Sequence, residues 1–214
     1  MARIKVLGGT GYAGAAVVSE AARRGHEVTS YSRHVPQQPI DGVEYVTGSV
    51  TDATVLADAV LDADVVYEAV SPRADMAGKM EAVVAELIRL ADRHGVRLGV
   101  MGGASSLHTS PGGPLLLDVN PMPDDVRPEI ETGLAVLEAL RQAPETLDWF
   151  YVSPAAEFGA WMTTPTTGSY RTSDDVLLTS SDGHSVISAE DLALAVLDEI
   201  EQPRHHRARF HVAL

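Results

Sequence analysis

The chain has no cysteine, which excludes disulfides, thiolate metal ligands and thiol nucleophiles. Lysine is nearly absent: Lys5 and Lys79 are the only two in 214 residues. A Tyr-x-x-x-Lys pair, in which the lysine lowers the pKa of a proton-donating tyrosine, cannot be formed. Met1 stands four residues before Lys5, and Asp75 four before Lys79. Positive charge is scarce overall, with 16 Lys and Arg against 30 Asp and Glu, a formal net charge of −14. Such a surface repels nucleic acid and anionic membrane, and both are expected to be absent as partners. An anionic ligand must then be held by local devices, a helix N-terminus or a placed arginine. No apolar run approaches the roughly 18 residues of a membrane span. The first residues lead into glycines within one short apolar run, which predicts a strand rather than a signal peptide and a cytoplasmic protein.

What is present is ordinary for a globular protein: 45% hydrophobic and 21% charged residues. Strand and helix patterns alternate, which predicts an α/β protein with a doubly wound parallel sheet. Strands are expected over 3–7, 26–31, 43–46, 64–69, 96–101 and 147–152, with a final one on the alternation of Phe210, Val212 and Leu214. Helices are expected over 11–24, after Thr51 or Asp52, over 75–94 up to Gly95, over 128–141, and from a capping box at Ser188-Ala-Glu-Asp191 to Glu201. Two stretches read as irregular, 102–128 and 154–175. The length suits a single domain over 1–214, with 154–187 as a small substrate-side region towards the C-terminus. The basic cluster Arg204, His205, His206, Arg207, Arg209 reads as a solvated turn, and no metal site is expected.

The main motif is Gly8-Gly9-Thr10-Gly11-Tyr12-Ala13-Gly14, directly after an apolar strand and opening a helix. Gly8 permits a tight turn, Gly11 lets a pyrophosphate approach the backbone, and Gly14 lets the helix pack closely. The helix N-terminus supplies free N–H groups and a favourable dipole for phosphate. After the second strand, an NAD enzyme carries an acid for the ribose 2′-hydroxyl. This chain has Tyr31-Ser32-Arg33-His34 there. Arg33 can pair with a 2′-phosphate and Ser32 can donate to it, so NADP(H) is expected over NAD(H).

These segments, with Met101-Gly-Gly-Ala-Ser-Ser-Leu107, Leu147-Asp-Trp-Phe-Tyr-Val-Ser-Pro154 and Ile187-Ser-Ala-Glu-Asp-Leu192, resemble the atypical or extended branch of the short-chain dehydrogenase/reductase superfamily. The likeness is to small NAD(P)H-binding proteins related to NmrA and to biliverdin reductase B, a flavin reductase, and to bacterial proteins loosely named NAD-dependent epimerase/dehydratase. It covers essentially the whole chain. It implies cofactor contacts at Gly8, Thr10, Gly11, Tyr12, Ala13 and Gly14, at Ser32 and Arg33, at Ser49 and Val50 after strand three, at Ala69 and Val70 after strand four, at Gly102 and Gly103 after strand five, and at Pro154. The family's Gly-Asp after strand three is Gly48-Ser49 here, leaving a weaker hydrogen bond to adenine.

The catalytic residue is not identifiable from sequence. Ser105 or Ser106 stands where the family's catalytic serine would be, and His108 in the same loop and His184 before the last helix titrate near neutrality. Glu68 ends strand four beside the cofactor crevice, where it could meet a ribose hydroxyl, face the substrate, or pair with Arg73. Phe158, Trp161 and Met162 form either a substrate-side cover or core beneath the last helix. Two functions fit: an NADPH-dependent reductase passing hydride to a small electron-poor acceptor (quinone, flavin or carbonyl), or a non-catalytic NADP-binding redox sensor of the NmrA type with a protein partner.

Overall fold

The structure is a computed structural model and describes residues 1–120 and 124–214. The elements in chain order are β1 (Arg3–Leu7), α1 (Tyr12–Arg23), β2 (Glu27–Ser32), β3 (Val43–Thr47), α2 (Ala53–Val60), β4 (Val65–Glu68), α3 (Met80–His94), β5 (Arg97–Met101), α4 (Leu116–Val119), α5 (Arg127–Arg141), β6 (Trp149–Ser153), β7 (Arg171–Ser173), α6 (Ala189–Glu201) and β8 (Ala208–Ala213). The strands form one sheet in the order β3-β2-β1-β4-β5-β6-β8-β7. Every pairing is parallel except that of β7 with β8. Strand order reverses between β1 and β4, the switch point outside whose strand ends ligands of such sheets bind.

Parallel strands covered on both faces become continuously apolar, and β4 and β6 are buried along their whole length. On one face α1 and α6 enclose Ile4, Val6, Tyr67, Phe150 and Val152. On the other, α2, α3 and α5 enclose Leu7, Val66, Leu98, Val100 and Tyr151. The strongest amphipathic stripe belongs to α3, which buries Met80, Val83, Val84, Leu87 and Leu90. Gly95 ends it in the left-handed conformation, as the sequence predicts.

Four expectations need correction. The helix expected over 75–94 begins only at Met80: Ala74–Met76 form a 3₁₀ turn and Gly78 has φ +70°, which breaks helical continuity. The stretch 102–128 holds the short helix α4; its positions 121–123 lie outside the described residues. Within 154–187, β7 adds an antiparallel edge strand. The basic cluster is solvated only in part: Arg204 and His206 are exposed, but two of its arginines are tied into the fold. Arg207 donates to the carbonyls of Ala143 and Leu147 at 3.0 Å, where the chain leaves α5. Arg209 is buried and donates to Asp175 (Nε, 2.9 Å) and Ser106 Oγ (2.7 Å).

The capping box at α6 is half formed. Ser188 Oγ accepts from Asp191 N–H at 3.0 Å. The buried Asp191 carboxylate does not return to Ser188. It takes the N–H groups of Thr167 (2.9 Å) and Gly168 (2.8 Å), which fastens the substrate-side segment to the helix.

Candidate functional site

The glycine loop forms where β1 ends at the switch point. Gly8 sits at φ +78°, a conformation that costs other residues strain, and a Cβ there would meet the Ala69 carbonyl and Val70 at 3.0 Å. Gly8 N–H donates to the Tyr31 carbonyl (2.8 Å), Gly11 N–H closes the turn on the Gly8 carbonyl (2.9 Å), and Thr10 N–H donates to Ser32 Oγ (3.2 Å). Gly14 has a different task from Gly11. A Cβ on Gly14 would lie 2.3 Å from the Gly8 carbonyl oxygen, so the helix start rests against the loop itself. A Cβ on Gly11 meets only that oxygen, at 3.2 Å, and otherwise opens onto free space. Helix α1 has no side-chain cap and no acid in its first turn. Its N–H groups are therefore left for an external anion, and the cradle fits a pyrophosphate.

Beyond the loop lies a cavity of about 480 Å³. Gly11, Tyr12 and Ala13 form one wall, Ala69 to Arg73 another, and Met101 to Ser106 a third. Ile130, Gly133 and Leu134 of α5, with Pro154 to Ala156 and Phe158 to Trp161, complete it. Phe158 packs against Tyr12 with ring centroids 5.2 Å apart. Trp161 is 64% exposed, so it is not core. Arg73 stands 5.2 Å over the Trp161 ring and pairs with Glu129. Three elements thus meet across the cavity: the chain after β4, the N-terminal end of α5, and the segment after β6.

The sequence-predicted residues divide into groups. Gly11, Tyr12, Ala13, Ala69, Val70, Gly102, Gly103, Ser105, Pro154, Phe158 and Trp161 line the cavity. Gly8 and Gly14 shape its loop from beneath. Ser32, Arg33, Ser49 and Val50 lie at the ends of β2 and β3, away from the cavity, where the strand order puts the adenosine half of a dinucleotide. Ser49 Oγ bonds Thr51 Oγ1 at 2.8 Å, and Val50 is buried. Arg33 faces a carboxylate that local sequence does not offer: its Nη1 reaches both oxygens of Asp75, at 2.8 and 2.7 Å.

Met162 and His108 do not line the cavity. His108 Nδ1 bonds the Gly113 carbonyl (2.7 Å), and its backbone pairs with Leu115 and Val176, so this histidine organises its loop. His184 is exposed beside Glu157 at 3.0 Å, whose carboxylate holds its pKa up. Ser106 also lines the cavity, with its hydroxyl held by Arg209. Glu68 is not paired with Arg73. Its carboxyl is 2% exposed, with Oε1 accepting from Val70 N–H at 2.6 Å, and burial pushes its pKa up to about 8.

Sequence reasoning missed Tyr151. Its hydroxyl donates to the Gly133 carbonyl (3.2 Å) and accepts from Gly103 N–H (3.3 Å). The ring lies so close to Gly102 that a Cβ there would be 1.8 Å from it. Tyr151 therefore fixes the loop after β5 and places a phenol on the cavity wall; burial pushes its pKa up to about 12, so it is a neutral donor. An aromatic residue at the centre of an otherwise aliphatic and aromatic strand carries no local signal of this role. Neither lysine lines the cavity; Lys5 donates to the carbonyls of Asp58 and Leu61.

The fold and cradle define a Rossmann-type dinucleotide-binding protein. A family profile for NAD(P)H-binding proteins matches residues 8–203, and the chain belongs to that family. It is 33% identical to Bacillus subtilis YwnB over 211 residues, covering 98% of this chain and 97% of that protein. A Streptococcus pneumoniae structure described as "a putative NADH-flavin reductase" superposes with TM-score 0.83 at 27% identity, covering 100% of this chain and 99% of that one. A Veillonella parvula short-chain dehydrogenase/reductase solved with NADP shares the fold at TM-score 0.74 and 17% identity, covering 100% and 94%. No helix among the described residues is long and apolar enough to cross a membrane.

Proposed function

We propose that the protein is an NADPH-dependent reductase that passes hydride to a flat, electron-poor acceptor of the flavin, quinone or conjugated carbonyl type. The observation that carries this reading is the cavity at the switch point. It continues from the glycine cradle into a space walled by Tyr12, Phe158, Trp161, Ile130 and Leu134. The NADH-flavin reductase description of the pneumococcal relative supports the same reading.

The bound dinucleotide would supply the hydride; the chain's own residues position and shield. The α1 N-terminus and Gly11 would hold the pyrophosphate, and Arg33 with Ser32 would take the 2′-phosphate. Gly102 makes room for the Tyr151 ring, and Gly103, beside which a Cβ would meet nothing, would leave room for a nicotinamide ring against the backbone. The aromatic groups orient a planar acceptor and exclude water. Tyr151, the phenol bonded into the loop, is neutral and committed to Gly133, and neither lysine stands four residues after a tyrosine. Acceptors that can take their proton from water are therefore favoured.

Purified protein should oxidise NADPH when given flavins, quinones or conjugated carbonyls in turn. Tight NADPH binding with no turnover across that panel would reject the reductase in favour of a redox sensor. Trp161→Ala should raise the acceptor KM roughly three- to tenfold, the loss of about 1 kcal/mol of ring contact. NADPH affinity should stay within about twofold, and because the ring is mostly exposed, Tm within about 2 °C. A Tm loss of several degrees with unchanged turnover would show the ring to be structural.

A further inference from the structure

The Arg33–Asp75 pair lies across the adenosine end of the crevice. Arg33 directly follows β2, and Asp75 lies in the 3₁₀ turn after β4; in the sheet, β1 with its glycine loop runs between those two strands. The pair is two-pronged, one guanidinium nitrogen against both carboxylate oxygens. Both side chains are more than half exposed, at 59% and 56%. Ala74, just before Asp75, is at φ +52°, a conformation that residues other than glycine adopt rarely. The acid is therefore presented by a turn that the surrounding chain holds in place.

An acid near the ribose 2′ position ordinarily marks an NAD enzyme, and an arginine marks an NADP enzyme. Here both are present and bonded to each other, with the acid supplied from the opposite wall of the crevice. Resting on the reading of Arg33 as the 2′-phosphate ligand, we infer that Asp75 is a specificity-determining residue: its carboxylate competes with the 2′-phosphate for Arg33 and holds down the preference for NADPH. The competition is electrostatic in two ways. Arg33 must exchange one anion for another, and the displaced carboxylate is left near a phosphate of like charge. NADH carries a hydroxyl at that position and leaves the Arg33–Asp75 pair intact. The unmodified protein should therefore favour NADPH only modestly.

The test is calorimetric titration of NADPH and NADH into the unmodified protein, Asp75→Asn and Arg33→Ala. Asp75→Asn keeps the shape and removes the charge. It should tighten NADPH about five- to tenfold, the scale of an exposed ion pair plus one like-charge contact, and change NADH less than about twofold. The gain should shrink as salt is raised. Arg33→Ala should weaken NADPH and leave NADH unchanged. If Asp75→Asn leaves NADPH unchanged while Arg33→Ala weakens it, Arg33 is the ligand but Asp75 does not compete, and the inference falls alone. If Asp75→Asn tightens both cofactors equally, the acid repels the dinucleotide as a whole and the inference also falls. If Arg33→Ala affects neither cofactor, the 2′-phosphate reading falls and takes the inference with it. Both positions are exposed, so Tm should move by no more than about 2 °C in either variant.

Discussion

Replacing Gly11 with valine should leave the protein folded and weaken dinucleotide binding by at least about a hundredfold, the equivalent of two charge-assisted hydrogen bonds lost at the pyrophosphate. Gly11 precedes α1 with φ −77° and ψ 172°, extended backbone that valine adopts readily. Its Cβ would meet only the Gly8 carbonyl oxygen, at 3.2 Å, so the loop gives by a few tenths of an ångström. The branched side chain would then occupy the space a pyrophosphate needs. Gly14→Val is the control with the opposite outcome. Its Cβ would lie 2.3 Å from the Gly8 carbonyl oxygen and 2.9 Å from the Gly8 carbonyl carbon, and backbone cannot swing aside as a side-chain tip can. An overpacking cost of about 2–3 kcal/mol should lower Tm by roughly 5–10 °C. Thermal melts and NADPH titrations on both variants decide the matter. Retained binding in folded Gly11→Val would make the loop a packing element and remove the basis for the cofactor site.

The fold was legible where its signals are local. The glycine spacing after β1, the apolar runs of β4 and β6, the stripe of α3 with Gly95 behind it, and Ser188 before α6 each lie within a few residues of what they determine. The cavity walls were partly legible for the same reason: Gly102, Gly103 and Pro154 follow strands directly. What escaped depends on distant pairing. Asp75 reaches Arg33 across 42 positions, and no periodicity announces it. Arg207 and Arg209 look like surface charge in a row of basic residues. One of them donates to three carbonyls just past the end of α5, and the other is buried against Asp175 and Ser106. β7 is three residues long at a sheet edge, too short to show alternation. Local sequence does not decide between core and surface for Trp161; its exposure and its contact with Arg73 place it outside the core.

Glu68→Gln should stabilise the protein in alkaline solution and flatten its pH dependence. Glu68 ends β4, registered between Leu7 of β1 and Val100 of β5, and its carboxyl is buried with one N–H partner, that of Val70. Burial disfavours the charged form more than that hydrogen bond supports it, so the folded-state pKa rises from 4.5 to about 8. The sign follows from proton linkage. Between pH 4.5 and 8 the folded protein holds a proton that the unfolded chain has released, so this group's contribution is full below pH 4.5 and is lost as pH rises through 8. The slope is at most about 1.4 kcal/mol per pH unit, and a total of order 2–4 kcal/mol is expected after the buried carboxyl's surroundings relax. Glutamine mimics the protonated acid in shape and keeps an oxygen for Val70 N–H, but it cannot ionise. Denaturant unfolding of parent and variant at pH 5, 7 and 9 should give curves that diverge as pH rises, with the variant more stable by roughly 2 kcal/mol or more at pH 9. Because every other titrating group is common to both proteins, their difference isolates position 68. Parallel curves would mean that Glu68 is already ionised in the folded protein. In that case a negative charge would stand beside the backbone of Ala69 and Val70, on the cavity wall, and NADPH binding should then strengthen in Glu68→Gln rather than stay constant.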